Sequence, residues 1–168
     1  MPVAMRFLEI DPRPRFGRAR IAAGAFAGAV GGLAFGILLT LQIMRGPYAP
    51  DGMAGMIARV LRTDNELAVW GAHLAAAALF GAVFAAFVAP SRPRRTIPLA
   101  VAYGVLLWFF AAFLALRLLA GVPLALSRSA LFDLAGHLVY GLVLGGVYVA
   151  FFHQEDRYVR DHRTRANA

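Results

Sequence analysis

Four long apolar runs separated by short polar stretches organise this chain: Ile21–Met44, Leu67–Ala89, Ile97–Leu119 and Ala130–Phe152. Each is long enough to cross a hydrocarbon core about 30 Å thick, which takes roughly 20 residues of α-helix. In lipid, backbone N–H and C=O groups must be satisfied within the protein, so such runs close into helices. The pattern predicts an all-α polytopic membrane protein with a four-helix transmembrane domain over residues 21–152, a basic segment at 1–20 and a basic tail at 153–168. The first long connection has another period. Met53, Met56, Ile57, Val60 and Leu61 follow i, i+3, i+4, i+7, i+8 spacing, with Arg59, Arg62 and Asp64 off that stripe. They predict a short amphipathic helix lying on the exterior surface or capping the bundle. Pro47, Pro50 and Gly52 break the chain before it. Met44, Met53 and Met56 suit apolar packing better than soft-metal binding.

Composition agrees: 60% of the 168 residues are hydrophobic and 15% charged, more apolar surface than one soluble domain of this size buries. The first run reads as a retained span rather than a cleaved signal peptide, because twenty residues with five arginines precede it and no small-residue cleavage pattern ends it. All seventeen basic residues are arginine, and twelve lie in residues 1–20, 90–96 and 153–168. The positive-inside rule makes those segments cytoplasmic, with both termini inside and the connections at 45–66 and 120–128 outside. Despite a pI near 11.2, nucleic acid is not an expected partner, since the charge flanks spans and forms no recognisable binding module. The expected partners are the lipid bilayer, anionic lipid headgroups, other membrane subunits or a second copy of the chain. The absence of cysteine excludes disulfides, iron–sulfur ligation and thiol catalysis.

Gly24, Gly28, Gly32 and Gly36 recur every four residues in the first span. Such a glycine zipper bares one stripe of the helix, and small-xxx-small stripes mark helix-packing faces in lipid.

A second regularity joins the second and fourth spans. At an offset of 64, residues 70–88 and 134–152 share six identities in nineteen, His73/His137 and Gly81/Gly145 among them. Internal duplication is the simplest account. It implies two pseudo-repeated helix pairs related by an axis along the membrane normal. Each histidine begins a stripe of small residues, Ala77 and Gly81 after His73, Gly141 and Gly145 after His137, so both imidazoles face protein. If the second and fourth helices adjoin the axis, the two rings face one another across it. Three readings of the pair stand open: interhelical hydrogen bonding that fixes packing, ligation of a b-type haem from both sides, or the lining of a proton or solute path. A two-histidine zinc or copper site lacks its third and fourth ligands. Asp133, four residues before His137, shares its helix face, as does Tyr140 three residues after, and Arg117 near the end of the third span suits Asp133 as a partner. The position matching Asp133 in the first repeat is Val69, which disfavours a strictly symmetric cofactor site. Trp70 stands where indoles anchor at the membrane interface.

The stretch Gly136-His137-Leu138-Val139-Tyr140-Gly141-Leu142-Val143-Leu144-Gly145 resembles the closing helix of small uncharacterised bacterial four-helix inner-membrane proteins. That resemblance implies the four-span architecture and a bacterial inner membrane, and no particular activity. Only the two level histidines match haem-binding cytochromes. No phosphate-binding loop, nucleophile elbow or His-Glu-x-x-His motif occurs, and the segments outside the spans are too short for a soluble catalytic domain. The expectation is therefore a non-enzymatic accessory or assembly component working through helix packing, without a cofactor. The alternatives are a b-haem electron carrier held by His73 and His137, and a small transporter or proton path.

Overall fold

The computed structural model describes residues 16–43, 52–88 and 93–166, and all its regular structure is helical. Arg6, Arg13, Arg15, Met44, Pro47, Pro50 and Arg92 lie outside the described residues. Helix α1 covers Phe16–Ile43, α2 Met53–Leu61 and α3 Glu66–Phe87. Helix α4 begins at Pro93–Leu107 and runs on through a π-helical stretch, Trp108–Leu116, to a last α turn, Arg117–Leu119. Helix α5 covers Arg128–Ala166. Four segments are long and apolar enough to cross a membrane: Gly17–Leu38, Glu66–Phe87, Arg94–Leu119 and Arg128–Phe151. These are the four expected runs with ends moved by a few residues.

Local chemistry sets the ends. Asn65 caps α3, its Oδ1 accepting from the N–H groups of Leu67 at 2.9 Å and Ala68 at 3.3 Å, two of the donors that a helix start leaves unpaired. The amphipathic period at 53–61 forms α2, which stops as Arg62 turns left-handed at φ 52° and Thr63 N–H reaches back to the Ala58 carbonyl at 3.1 Å. Gly121, at φ +66°, ends α4, and Val122 N–H closes onto the Arg117 carbonyl at 2.8 Å. Pro93 opens α4 several residues before the apolar run, since proline's fixed φ and missing N–H suit a first turn.

Two features depart from the sequence pattern. A regular helix was expected over the whole third run, yet nine residues of it are π-helical. The wider turn brings residues five apart together, and Trp108 packs on Phe113 with centroids 5.3 Å apart while Phe109 stacks on the same ring at 6.2 Å. Residues 153–166, expected as a basic tail, continue α5 without a break.

Helix α1 is central, packed against α3 on one side and α5 on the other, and α5 packs in turn on α4. Helices α3 and α4 meet only at isolated points. The α1–α3 contact is backbone to backbone: a Cβ added at Gly28 would fall 2.8 Å from Gly81 Cα, one at Gly24 would strike the Gly81 carbonyl, and one at Gly81 the Gly24 carbonyl. Further along, Gly32 takes the Ala77 methyl and Gly36 the Trp70 ring, so Trp70 is engaged with α1 as well as standing near the helix end. On the other side Gly104, Gly141 and Gly145 give α4 and α5 the same close approach, with Ala100 against both Gly141 and Gly145. Away from these seams Leu79, Leu142 and Phe110 stay exposed, as lipid-facing positions do.

Leucine at position 28 or 81 is expected to lower stability by at least the roughly 1–3 kcal/mol typical of overpacking, read as a fall in unfolding midpoint in detergent. Gly71→Ala, whose added Cβ meets nothing, is expected to hold or raise the midpoint.

Candidate functional site

His73 and His137 each lie about two turns into their helices, at the end of the bundle that carries α2. Each spends one ring nitrogen on a backbone carbonyl. His73 Nε2 donates to Gly32 of α1 at 3.0 Å, and His137 Nδ1 donates to Asp133 of its own helix at 2.7 Å. A carbonyl only accepts, so these bonds fix where the proton of each neutral ring sits.

The rings do not simply face each other. Phe35 of α1 packs edge-on against both, with centroids 5.3 Å from His73 and 4.9 Å from His137. The Phe35 ring is seated on Gly136, where any Cβ would collide with it, so the residue before His137 is glycine for a steric reason. Because α1 packs between α3 and α5, the wedge belongs to the architecture. Phe35 thus links the two imidazoles in one aromatic contact.

Tyr140 reaches the same region, yet its hydroxyl donates to the Ala77 carbonyl of α3 at 2.9 Å rather than to His137. Its ring crosses α1 at Gly31, where an added Cβ would crowd it. Three further residues, not singled out from the sequence, act in the same way. Tyr103 OH donates to Phe80 at 2.9 Å, joining α4 to α3; Trp108 Nε1 donates to Ala130 at 3.0 Å, joining α4 to α5; and Tyr148 OH donates to Val88 at 2.9 Å, joining α5 to the end of α3. The available signal was a phenol or indole inside an apolar run, since its polar atom must find a partner there.

Arg117 and Asp133 are both buried, at 2% and 3% exposure, so neither snorkels to the interface. The Arg117 guanidinium donates to the Pro123 carbonyl at 2.8 Å and to Ser127 Oγ at 3.2 Å, and lies 5.6 Å from the Phe113 ring centre. Ser127 Oγ also accepts from Ala130 N–H, capping α5, and pairs with Ser129 Oγ at 2.7 Å. Asp133 follows Ser129 by one turn on the same helix face. Buried arginine, two serines and aspartate thus gather where the α4–α5 connection enters the bundle. Among the described residues no three His, Cys, Asp or Glu side chains form a metal-binding group.

Where α3 and α4 fail to pack, a cavity of about 290 Å³ remains. Its back wall is Phe35, His137 and Tyr140, its sides are Ala72, His73 and Ala76 of α3 with Ala111, Ala112 and Leu116 of α4, and α2 covers one end with Met53 and Ile57. The Tyr103–Phe80 bond crosses the gap near the other end. Enclosed on those sides, the cavity opens between α3 and α4, toward the lipid-facing surface.

A family model matches residues 18–159, which take in the four apolar helices but for Gly17 at the start of the first. The chain belongs to the DUF6789 family, a family of unknown function. No curated protein and no solved structure matches it. The family match contains every residue that lines the cavity.

Phe35→Ala is expected to cost about 3–5 kcal/mol by emptying the buried space the ring fills against both imidazoles. Tyr140→Phe, which deletes one interhelical hydrogen bond, is expected to cost only about 0.6 kcal/mol. Unfolding of the two variants in mixed micelles gives both values on one scale.

Proposed function

We propose that the protein is a non-enzymatic accessory or assembly component of a bacterial inner membrane, acting through its packed helices. The observation that carries this reading is where the polar side chains of the bundle go. His73, Tyr103, Trp108 and Tyr140 each donate to a backbone carbonyl of another helix, so they serve as ties between helices. A proton or solute path needs polar groups that exchange partners in series, and ties of this kind hold one partner each.

The bundle is read as two duplicated helix pairs. In support, Gly28 stands against Ala77 and Gly81, and Ala100 stands against Gly141 and Gly145, the pairs of positions that the offset of 64 makes equivalent. The stripe Gly24, Gly28, Gly32 and Gly36 acts as a glycine zipper against α3. The arginine distribution puts both termini in the cytoplasm and α2 on the exterior side. The arginines flanking the spans then stand at the cytoplasmic headgroups, where anionic lipids are the natural counterions.

Isolation in a mild detergent is expected to yield the chain with another membrane subunit at fixed ratio and without a haem absorption band. A lone chain that carries protons or solutes across vesicle membranes would overturn the accessory reading. A b-type band lost in both His73→Ala and His137→Ala would replace it with an electron carrier. For orientation, alkaline phosphatase fused at either terminus is expected to be inactive, and fused at Thr63 active.

A further inference from the structure

We propose that the cavity between α3 and α4 binds a neutral, lipid-soluble molecule whose polar head is a hydroxylated ring, the hydroxyls donating to His73 Nδ1 and His137 Nε2. This goes beyond the accessory role and stands or falls separately from it.

The hydrogen-bond inventory gives the chemistry of the head. A neutral imidazole has one N–H and one acceptor nitrogen. Both N–H groups are already committed, His73 Nε2 to Gly32 and His137 Nδ1 to Asp133. The remaining nitrogens are acceptors, and neither has a partner in the protein. Among the described residues the one fully buried side-chain nitrogen or oxygen without a partner is Arg20 Nε, so these two acceptors keep accessible surface on rings that both line the cavity. Tyr140, the third polar residue there, has its proton on Ala77. The site thus offers lone pairs and asks for donors. Hydroxyls supply them, whereas a ketone or an ether brings only more acceptors.

The walls give the rest. Apart from those three residues the lining is aliphatic, alanine, methionine or phenylalanine, and a charged head buried there without a counter-charge would cost several kcal/mol. A volume of about 290 Å³ is at the lower edge of ligand pockets and suits one substituted ring rather than a fused system. Phe35, packed edge-on to both imidazoles, and Phe80 present aromatic surface to such a ring. The opening between α3 and α4 faces the bilayer, so the molecule enters from lipid and an apolar tail remains there. Helix α2 covers the other approach with Met53 and Ile57, adaptable side chains that fit a lid over an apolar guest.

Decylhydroquinone, kept reduced under anaerobic conditions, is the probe, with its dimethyl ether and decylbenzoquinone as controls of the same shape. The readout on full-length protein in nanodiscs is fluorescence of Trp70, whose ring centre is 6.1 Å from that of His73, in a Trp108→Phe background. Saturable binding of the diol, one per chain, is expected, with both controls weaker by about tenfold or more for the loss of donors facing buried acceptors. His137→Phe is expected to weaken the diol by about as much. Ala112→Phe, which fills the cavity from α4 and leaves both imidazoles in place, is expected to abolish binding while circular dichroism shows unchanged helicity. Equal binding of diol, quinone and ether, or full binding by Ala112→Phe, would overturn the proposal, as would the absence of saturation by the diol.

Discussion

Helices in lipid gain nothing from the hydrophobic effect by touching one another, because the tails they leave are as apolar as the side chains they meet. What remains is close contact, and the bundle depends on the approach of α1 to α3 at Gly24, Gly28 and Gly81. Backbones that close allow Cα–H groups to meet carbonyl oxygens, each contact small and several in a row substantial. The same closeness puts helix carbonyls within reach of side-chain donors. Ala77 is the clearest instance: its carbonyl lies where a Cβ of Gly28 would be, and it accepts the Tyr140 hydroxyl from α5. Three helices meet at one oxygen. Larger side chains on the stripe would separate the backbones and move the acceptor away from its donor.

The position of α1 between α3 and α5 also decides what the histidines touch. From sequence they were two equivalent rings on equivalent helices. In the fold they are inequivalent, since one reaches across to α1 and the other bonds within its own helix. Phe35 touches both, and all three side chains line one pocket. Helices of similar sequence are free to diverge wherever their neighbours differ.

Much of this was legible beforehand because it rests on periodicity. Twenty-residue apolar runs, the i, i+3, i+4 stripe at Met53–Leu61 and the four-residue glycine repeat are local signals with one physical meaning each. The four spans and α2 appear where those signals stand. The sequence left open whether Arg117 and Asp133 pair or snorkel apart, whereas the protein-facing setting of His137 and Tyr140 was legible, since polar groups in an apolar run face protein. Their partners were not. Nothing in the sequence says that Tyr140 bonds to a carbonyl 63 residues away, or that Phe35 packs on both imidazoles, because such pairings depend on which helices become neighbours. The π-helical stretch was hidden for a related reason: Trp108-Phe109-Phe110 has the composition of any lipid-facing helix, and only its hydrogen-bonding pattern sets it apart. The cavity follows from a missing contact between α3 and α4, and missing contacts leave no periodic trace.

Helix α5 is longer than a membrane is thick. Its 39 residues extend about 58 Å at 1.5 Å per residue, against a hydrocarbon core of about 30 Å. Residues 152–166 therefore continue past the apolar span as part of one unbroken rod. The arginine-bearing residues 152–166 are thus joined to His137, Tyr140 and the wall they form by continuous helix, mechanically continuous with the interior of the bundle.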